Sequence, residues 1–91
     1  MRTKYVTGVT VTDLGTTLPF VPGSSVTALN PTASAVTLQF GDASTGPFNT
    51  GRTFGGAAAV IPAGGSLENI NVSGRYAAIE NGVGQVQLIQ N

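Results

Sequence analysis

The sequence predicts an all-β protein: a single small β-sandwich of jelly-roll kind, or a short barrel, with about seven or eight strands. Three observations carry that prediction. Apolar and polar residues alternate in short runs, as in Val36, Thr37, Leu38, Gln39 and Phe40, and a period of two belongs to half-buried strands. Turn residues punctuate these runs at nearly regular spacing, in "NPTAS", "PAGGS" and "ENGVG". Helical periodicity never appears. A chain of 91 residues is one domain, too short to divide into two cores.

The elements follow in order. Residues 1–4, "MRTK", stand ahead of the first strand and read either as an arm reaching an acidic neighbour or as a frayed terminus. Residues 5–91 then form the sandwich. Tyr5 to Thr12 alternates, with Tyr5, Thr7, Val9 and Val11 expected on one side and Gly8, Thr10 and Thr12 on the other. Asp13, Leu14 and Gly15 turn the chain. Leu18 and Phe20 lie in an extended piece broken by Pro19 and Pro22, which suits an edge or a crossing.

A hairpin is expected next: Val26 to Leu29 runs up, Asn30-Pro31-Thr32 turns, and Ala35 to Phe40 returns with Val36, Leu38 and Phe40 facing in. Threonine and valine dominate here because β-branched side chains pack well on a pleated surface. Residues 41–56 are irregular and glycine-rich. Ala57 to Ile61, the "PAGGS" turn and a strand through Ile70 and Val72 follow. The last hairpin is expected to pair Tyr76–Glu80 with Gln85–Ile89, since Asn-Gly at 81–82 is the strongest short hairpin signal in the chain.

That final strand puts Val86 and Leu88 on one face and Gln85 and Gln87 on the other, and no charged side chain follows Glu80. Solvent-facing edges normally carry Lys or Glu to deter pairing. Either a neighbouring subunit covers this edge, or the strand lies inside the sandwich.

Charge and composition exclude several functions. Charged residues make up 9% of the chain, against about 25% in ordinary soluble domains. Arg2, Lys4, Arg52 and Arg75 balance Asp13, Asp42, Glu68 and Glu80. A surface this poor in charge fits a protein covered by other protein, and with no basic patch it does not fit nucleic acid. Histidine and cysteine are absent, which removes disulfides, the common zinc sites, a Ser–His–Asp triad and a thiol nucleophile. The four acids lie in or beside turns, each without a second acid. We therefore expect no enzyme and no cofactor.

Several local patterns lack what their chemistry requires. The oxygen-bearing run Asp42 to Gly46 lacks the further acids and closing Glu of a calcium loop. "TGRTFGG" has no Lys-Ser/Thr pair opening a helix, as a phosphate loop requires. "AAAVIPA" falls far short of the ~18 apolar residues of a membrane span. "MRTKYVTGVTV" lacks the apolar core of a signal peptide, so synthesis in the cytoplasm of whatever cell makes the chain is expected and the sequon Asn71-Val72-Ser73 is a chance match. A domain this small, without disulfide or metal, is left with oligomerisation as its supplement.

Candidate interface residues are Arg2 and Lys4 at the start, Phe48, Arg52 and Phe54 in the glycine-rich stretch, and Gln85, Gln87 and Ile89 in the last strand. Phe48 and Phe54 read as interface anchors or a sugar-stacking platform, or else as the loop's own small core. Arg52 reads as a fork for a partner's carboxylate, or as a solvated side chain.

The order "VTALNPTASAVTLQFGDAS", then "IPAGGS", then "GRYAAIENGVGQVQLI" resembles small bacteriophage virion proteins, in particular capsid decoration (cement) proteins. The likeness runs from Val26 to the end and is one of texture rather than of an invariant motif. It implies a β-sandwich on the outer capsid surface, a homodimer or homotrimer that bridges major capsid protein subunits, with no membrane or nucleic acid among its partners. It carries over strands and turns, and no catalytic residue. The alternatives are a receptor- or carbohydrate-binding sandwich of a tail fibre, or another head–tail component.

Overall fold

The structure, a computed structural model, describes residues 2–8, 10–16, 20–80 and 82–90. Along the chain its strands are β1 (Arg2–Thr7), β2 (Thr12–Asp13), β3 (Ser25–Leu29), β4 (Val36–Gly41) and β5 (Asn49–Thr50). Then come β6 (Arg52–Thr53), β7 (Val60–Ile61), β8 (Ser66–Asn71), β9 (Tyr76–Ile79) and β10 (Gln85–Gln90). Sheet I has the order β1-β10-β3-β8-β6; sheet II has β2-β9-β4-β5, with β7 also pairing β4. All pairings are antiparallel. The fold is a β-sandwich and not a closed barrel. It has more strands than expected because four of them are two-residue pieces that periodicity cannot register.

The core lies between the sheets. Val6, Val26, Ala28, Ile70, Val86 and Leu88 point into it from sheet I. Leu38, Phe40, Ala77 and Ile79 meet them from sheet II, and Leu14, Phe20 and Ile61 close the sides. The facing of the last strand is as expected: Val86 and Leu88 are fully buried, while Gln85 and Gln87 are half-buried. Burying each such aliphatic side chain stabilises the fold by about 1.5–3 kcal/mol.

Both expected hairpins are instead crossovers between sheets. β3 pairs with β10 and β8 in sheet I, whereas β4 pairs with β9 in sheet II. The reason is Asn30, 1% exposed. Its Oδ1 accepts from Thr32 N at 2.9 Å and Thr32 Oγ1 at 2.6 Å, and its Nδ2 donates to Ser34 O at 2.8 Å and Ile61 O at 3.1 Å. The Asn30 backbone N–H donates to Gly65 O at 2.8 Å. These bonds fold the connection around a side chain, so the chain swings across the core rather than back along its own sheet. The second crossover runs from β9 to β10; Asn81 lies outside the described residues. Gly84, at φ 106°, sits where an added Cβ would come 2.9 Å from Val36 Cγ2, so the two crossovers stack on one another.

The start of the chain also differs from expectation. Residues 2–4 are the first half of β1 rather than an arm, paired with Gln90, Ile89 and Leu88. Val6 points inward and Tyr5 outward, at 54% exposure, because Val6 lies opposite the buried Val86 of β10, and the strand ends at Thr7 before the expected run to Thr12 is complete. Val9, Leu18 and Pro19 lie outside the described residues. The turn at 13–15 stands as expected, with Gly15 N donating to Asp13 Oδ1 at 2.8 Å.

The neutral tail is thus an inner strand: β10 lies between β1 and β3. It carries no charge because its own sheet covers both of its edges. Two outcomes follow. Leu88→Lys should abolish the thermal unfolding transition, while Gln87→Lys should change stability by no more than about 0.5 kcal/mol; equal damage from both contradicts the facing. Asn30→Ala takes its donor from the Ile61 carbonyl and its acceptor from the Thr32 N–H and should cost roughly 2–4 kcal/mol, read by circular dichroism as a fall of roughly 10–20 °C in Tm.

Candidate interaction surface

Strand order decides which of the expected interface residues meet. β1 and β6 lie at opposite edges of sheet I, so Arg2 and Lys4 are separated from Arg52 and Phe54 by three intervening strands. Gln85, Gln87 and Ile89 lie between them, on the outer face of β10. Phe48, just before β5, is half-buried, and its ring packs on Gly41 and Gly46; a Cβ at Gly41 would come within 2.8 Å of Phe48 Cδ1. It belongs to the loop's own core. Phe54 is 60% exposed, and Arg52 Nη1 donates only a long 3.5 Å bond to Gly56 O. The eight residues therefore do not form one site.

What the order does assemble is a neutral face. Alternation puts Thr3, Tyr5 and Thr7 of β1 outward beside Gln85, Gln87 and Ile89 of β10, and these beside Thr27 and Leu29 of β3. Tyr5 lies opposite Gln87, and Gln87 opposite Leu29. None of these side chains is charged. Tyr5, Thr27 and Leu29 were missing from the sequence expectation; the signal that finds them is the inward register set by Val6 and Val26. Sheet II presents a different outer face, where Asp13 and Tyr76 lie opposite one another, Arg75 precedes β9 and Glu80 follows it.

The edges are closed to varying degrees. β2, β5 and β6 are two residues long, too short to template a ladder. β1 is the one long edge among the described strands at the ends of the sheets, and its second half is plugged. Thr12 Oγ1 donates to Tyr5 O at 3.2 Å and Thr10 N to Thr7 O at 3.0 Å. Such blunting is how sheets avoid indiscriminate pairing.

β2 holds that plug through a two-pronged ion pair. Arg75 Nε and a second guanidinium nitrogen donate to the two oxygens of Asp13, each at 2.9 Å. Leu14 N donates to Arg75 O at 2.8 Å, and the guanidinium lies 5.3 Å from the centre of the Tyr76 ring. The Arg75 bond, helped by the Gly15 N–H, lowers the Asp13 carboxyl from 3.8 to about 2.

A cleft of about 380 Å³ opens beside the glycine-rich loop, lined by Phe40, Asp42, Pro47, Asn49, Arg52 and Ser73. Among the described residues no three His, Cys, Asp or Glu side chains gather as a metal site, and no helix is long and apolar enough to cross a membrane.

Because the folded Asp13 has the lower value, its contribution is complete above the unfolded 3.8 and is lost as pH falls through about 2. A carboxyl-detected NMR titration should give a midpoint near 2, and Arg75→Gln should return it toward 3.8. An ordinary midpoint in the unmodified chain contradicts the two-pronged pair. A comparison of the chain with protein-family models, curated proteins and solved structures found no match.

Proposed function

We propose that this chain is a non-enzymatic virion structural protein, a capsid decoration (cement) protein that binds the outer surface of a phage capsid and ties major capsid protein subunits together. The observation that carries the reading is the uncharged outer face of sheet I across β1, β10 and β3. Interfaces are depleted of charge at their centres, since an unpaired buried charge is costly. The face mixes one tyrosine, aliphatic Leu29 and Ile89, and threonine and glutamine side chains, which is the composition of a modest contact. Modest contacts suffice on a shell, where each copy is one of many and avidity multiplies them. Copies of the chain itself, as a dimer or trimer, belong to the same reading.

The cleft beside Asp42 and Arg52 favours one rival, a glycan-binding module of a tail fibre. Its carboxylate, amide and guanidinium suit sugar hydroxyls. The ring that would stack on a sugar is missing, because Phe40 is buried and Phe48 is turned onto Gly41 and Gly46. The decoration reading is the stronger.

The test is to add the purified chain to undecorated capsids of the phage that encodes it, then measure co-sedimentation and the temperature of shell rupture. Saturable binding at many copies per shell and a higher rupture temperature are expected. Leu29→Glu combined with Gln87→Glu should keep the fold and weaken binding by about a hundredfold, as for loss of a central contact. No co-sedimentation at any concentration contradicts the proposal.

A further inference from the structure

The open half of β1 offers a more specific contact. Gly8 N donates to Gly84 O at 2.7 Å, and this pair continues the β1–β10 register, in which each pair sums alike from Arg2↔Gln90 to Thr7↔Gln85. Even-numbered residues of β1 therefore turn their backbone groups toward β10, and the odd-numbered ones turn them outward, as antiparallel ladders alternate. The carbonyls of Tyr5 and Thr7 agree, since each is met from outside the sheet by Thr12 or Thr10. Above that plug, Thr3 N–H and C=O and Tyr5 N–H face away from the ladder with β10.

Arg2 and Lys4 flank this opening, and their strand neighbours Gln90 and Leu88 are neutral. The nearest described acid, Asp13, gives both oxygens to Arg75. Lys4 Nζ reaches Asp13 only through a long 3.5 Å bond to its backbone carbonyl. A second copy is a poor occupant. Antiparallel self-pairing centred on Thr3 sets Arg2 against Lys4 of the other copy, and centring on Lys4 sets lysine against lysine; like charges directly opposite are destabilising. The register centred on Tyr5 is blocked by Thr10 and Thr12.

We propose that the Arg2–Tyr5 half of β1 receives an extended acidic segment of another protein as a sixth strand of sheet I. Thr3 and Tyr5 supply the ladder, while Arg2 and Lys4 select negative charge, the division of labour usual in strand addition. The inference rests on the decoration reading only for which protein supplies the strand, namely the capsid subunit.

The probe is a capped heptapeptide alternating threonine and aspartate, with a lysine-for-aspartate version as control, titrated into the isotope-labelled chain. Amide shifts should concentrate at Arg2–Tyr5, with affinity on the order of millimolar that falls as salt rises, and the lysine peptide should not bind. Thr3→Pro removes an outward N–H that an edge strand can lose, so it should keep the fold and cut affinity by at least about tenfold. Arg2→Gln with Lys4→Gln should do the same and flatten the salt dependence. Shifts centred elsewhere, no shifts, or equal binding of both peptides overturn the proposal, whether or not Thr3→Pro folds. Peptide binding without co-sedimentation on shells would keep the strand site and retire the decoration reading; the reverse would do the opposite.

Discussion

One carboxamide ties the sandwich together. Asn30 is buried, and its side chain accepts from Thr32 while donating to the carbonyls of Ser34 and Ile61. An apolar residue there would take the acceptor from the Thr32 N–H and the donor from the Ile61 carbonyl, and each polar group left unsatisfied costs about 1–3 kcal/mol. The polar side chain is therefore what allows the connection after β3 to leave sheet I and enter sheet II. Everything downstream depends on that crossing. It puts β4 against β9, frees the side of β3 for β10, and gives the second crossover a surface to pack on at Val36 and Thr32.

The crossing also shapes the surface. With β10 drawn between β1 and β3, the neutral glutamines and Ile89 come to lie beside Tyr5 and Leu29, and an uncharged face forms that no single segment contains. Charges border it: Arg2 and Lys4 lie on the edge strand β1, Glu68 on β8 beside β3, Arg52 on the far edge strand, and the Asp13–Arg75 pair on sheet II. A protein with so few charges can thus present a neutral centre and still place cations beside the open backbone of β1.

Local pattern and pairing partner were unequally legible. Val86 and Leu88 against Gln85 and Gln87 could be sorted from the sequence because alternation is a property of the strand itself. The turns at 13–15 and 62–66 were legible because glycine and Asx chemistry act over a few residues. The two hairpins were misread because adjacency in sequence is only a bias toward pairing, and the residue that overrode it, Asn30, acts through Ile61 and Gly65, far along the chain. In "KYVTGVTV" both frames alternate, so the side chain chosen for the core, Val6, was fixed by Val86 opposite it and not by the pattern. The candidate site scattered for the same reason: its members were chosen by chemistry, and their neighbourhood is set by strand order.

Amide hydrogen exchange followed by NMR tests the central claim, that β10 is an inner strand and β1 the edge. Every residue from Val86 to Ile89 should be protected, because successive amides donate alternately to β1 and β3. In β1, Lys4 and Val6 should be protected while Thr3 and Tyr5 exchange fast. Alternating protection along β10, or uniform protection along β1, would contradict the strand order on which the neutral face and the open edge both rest.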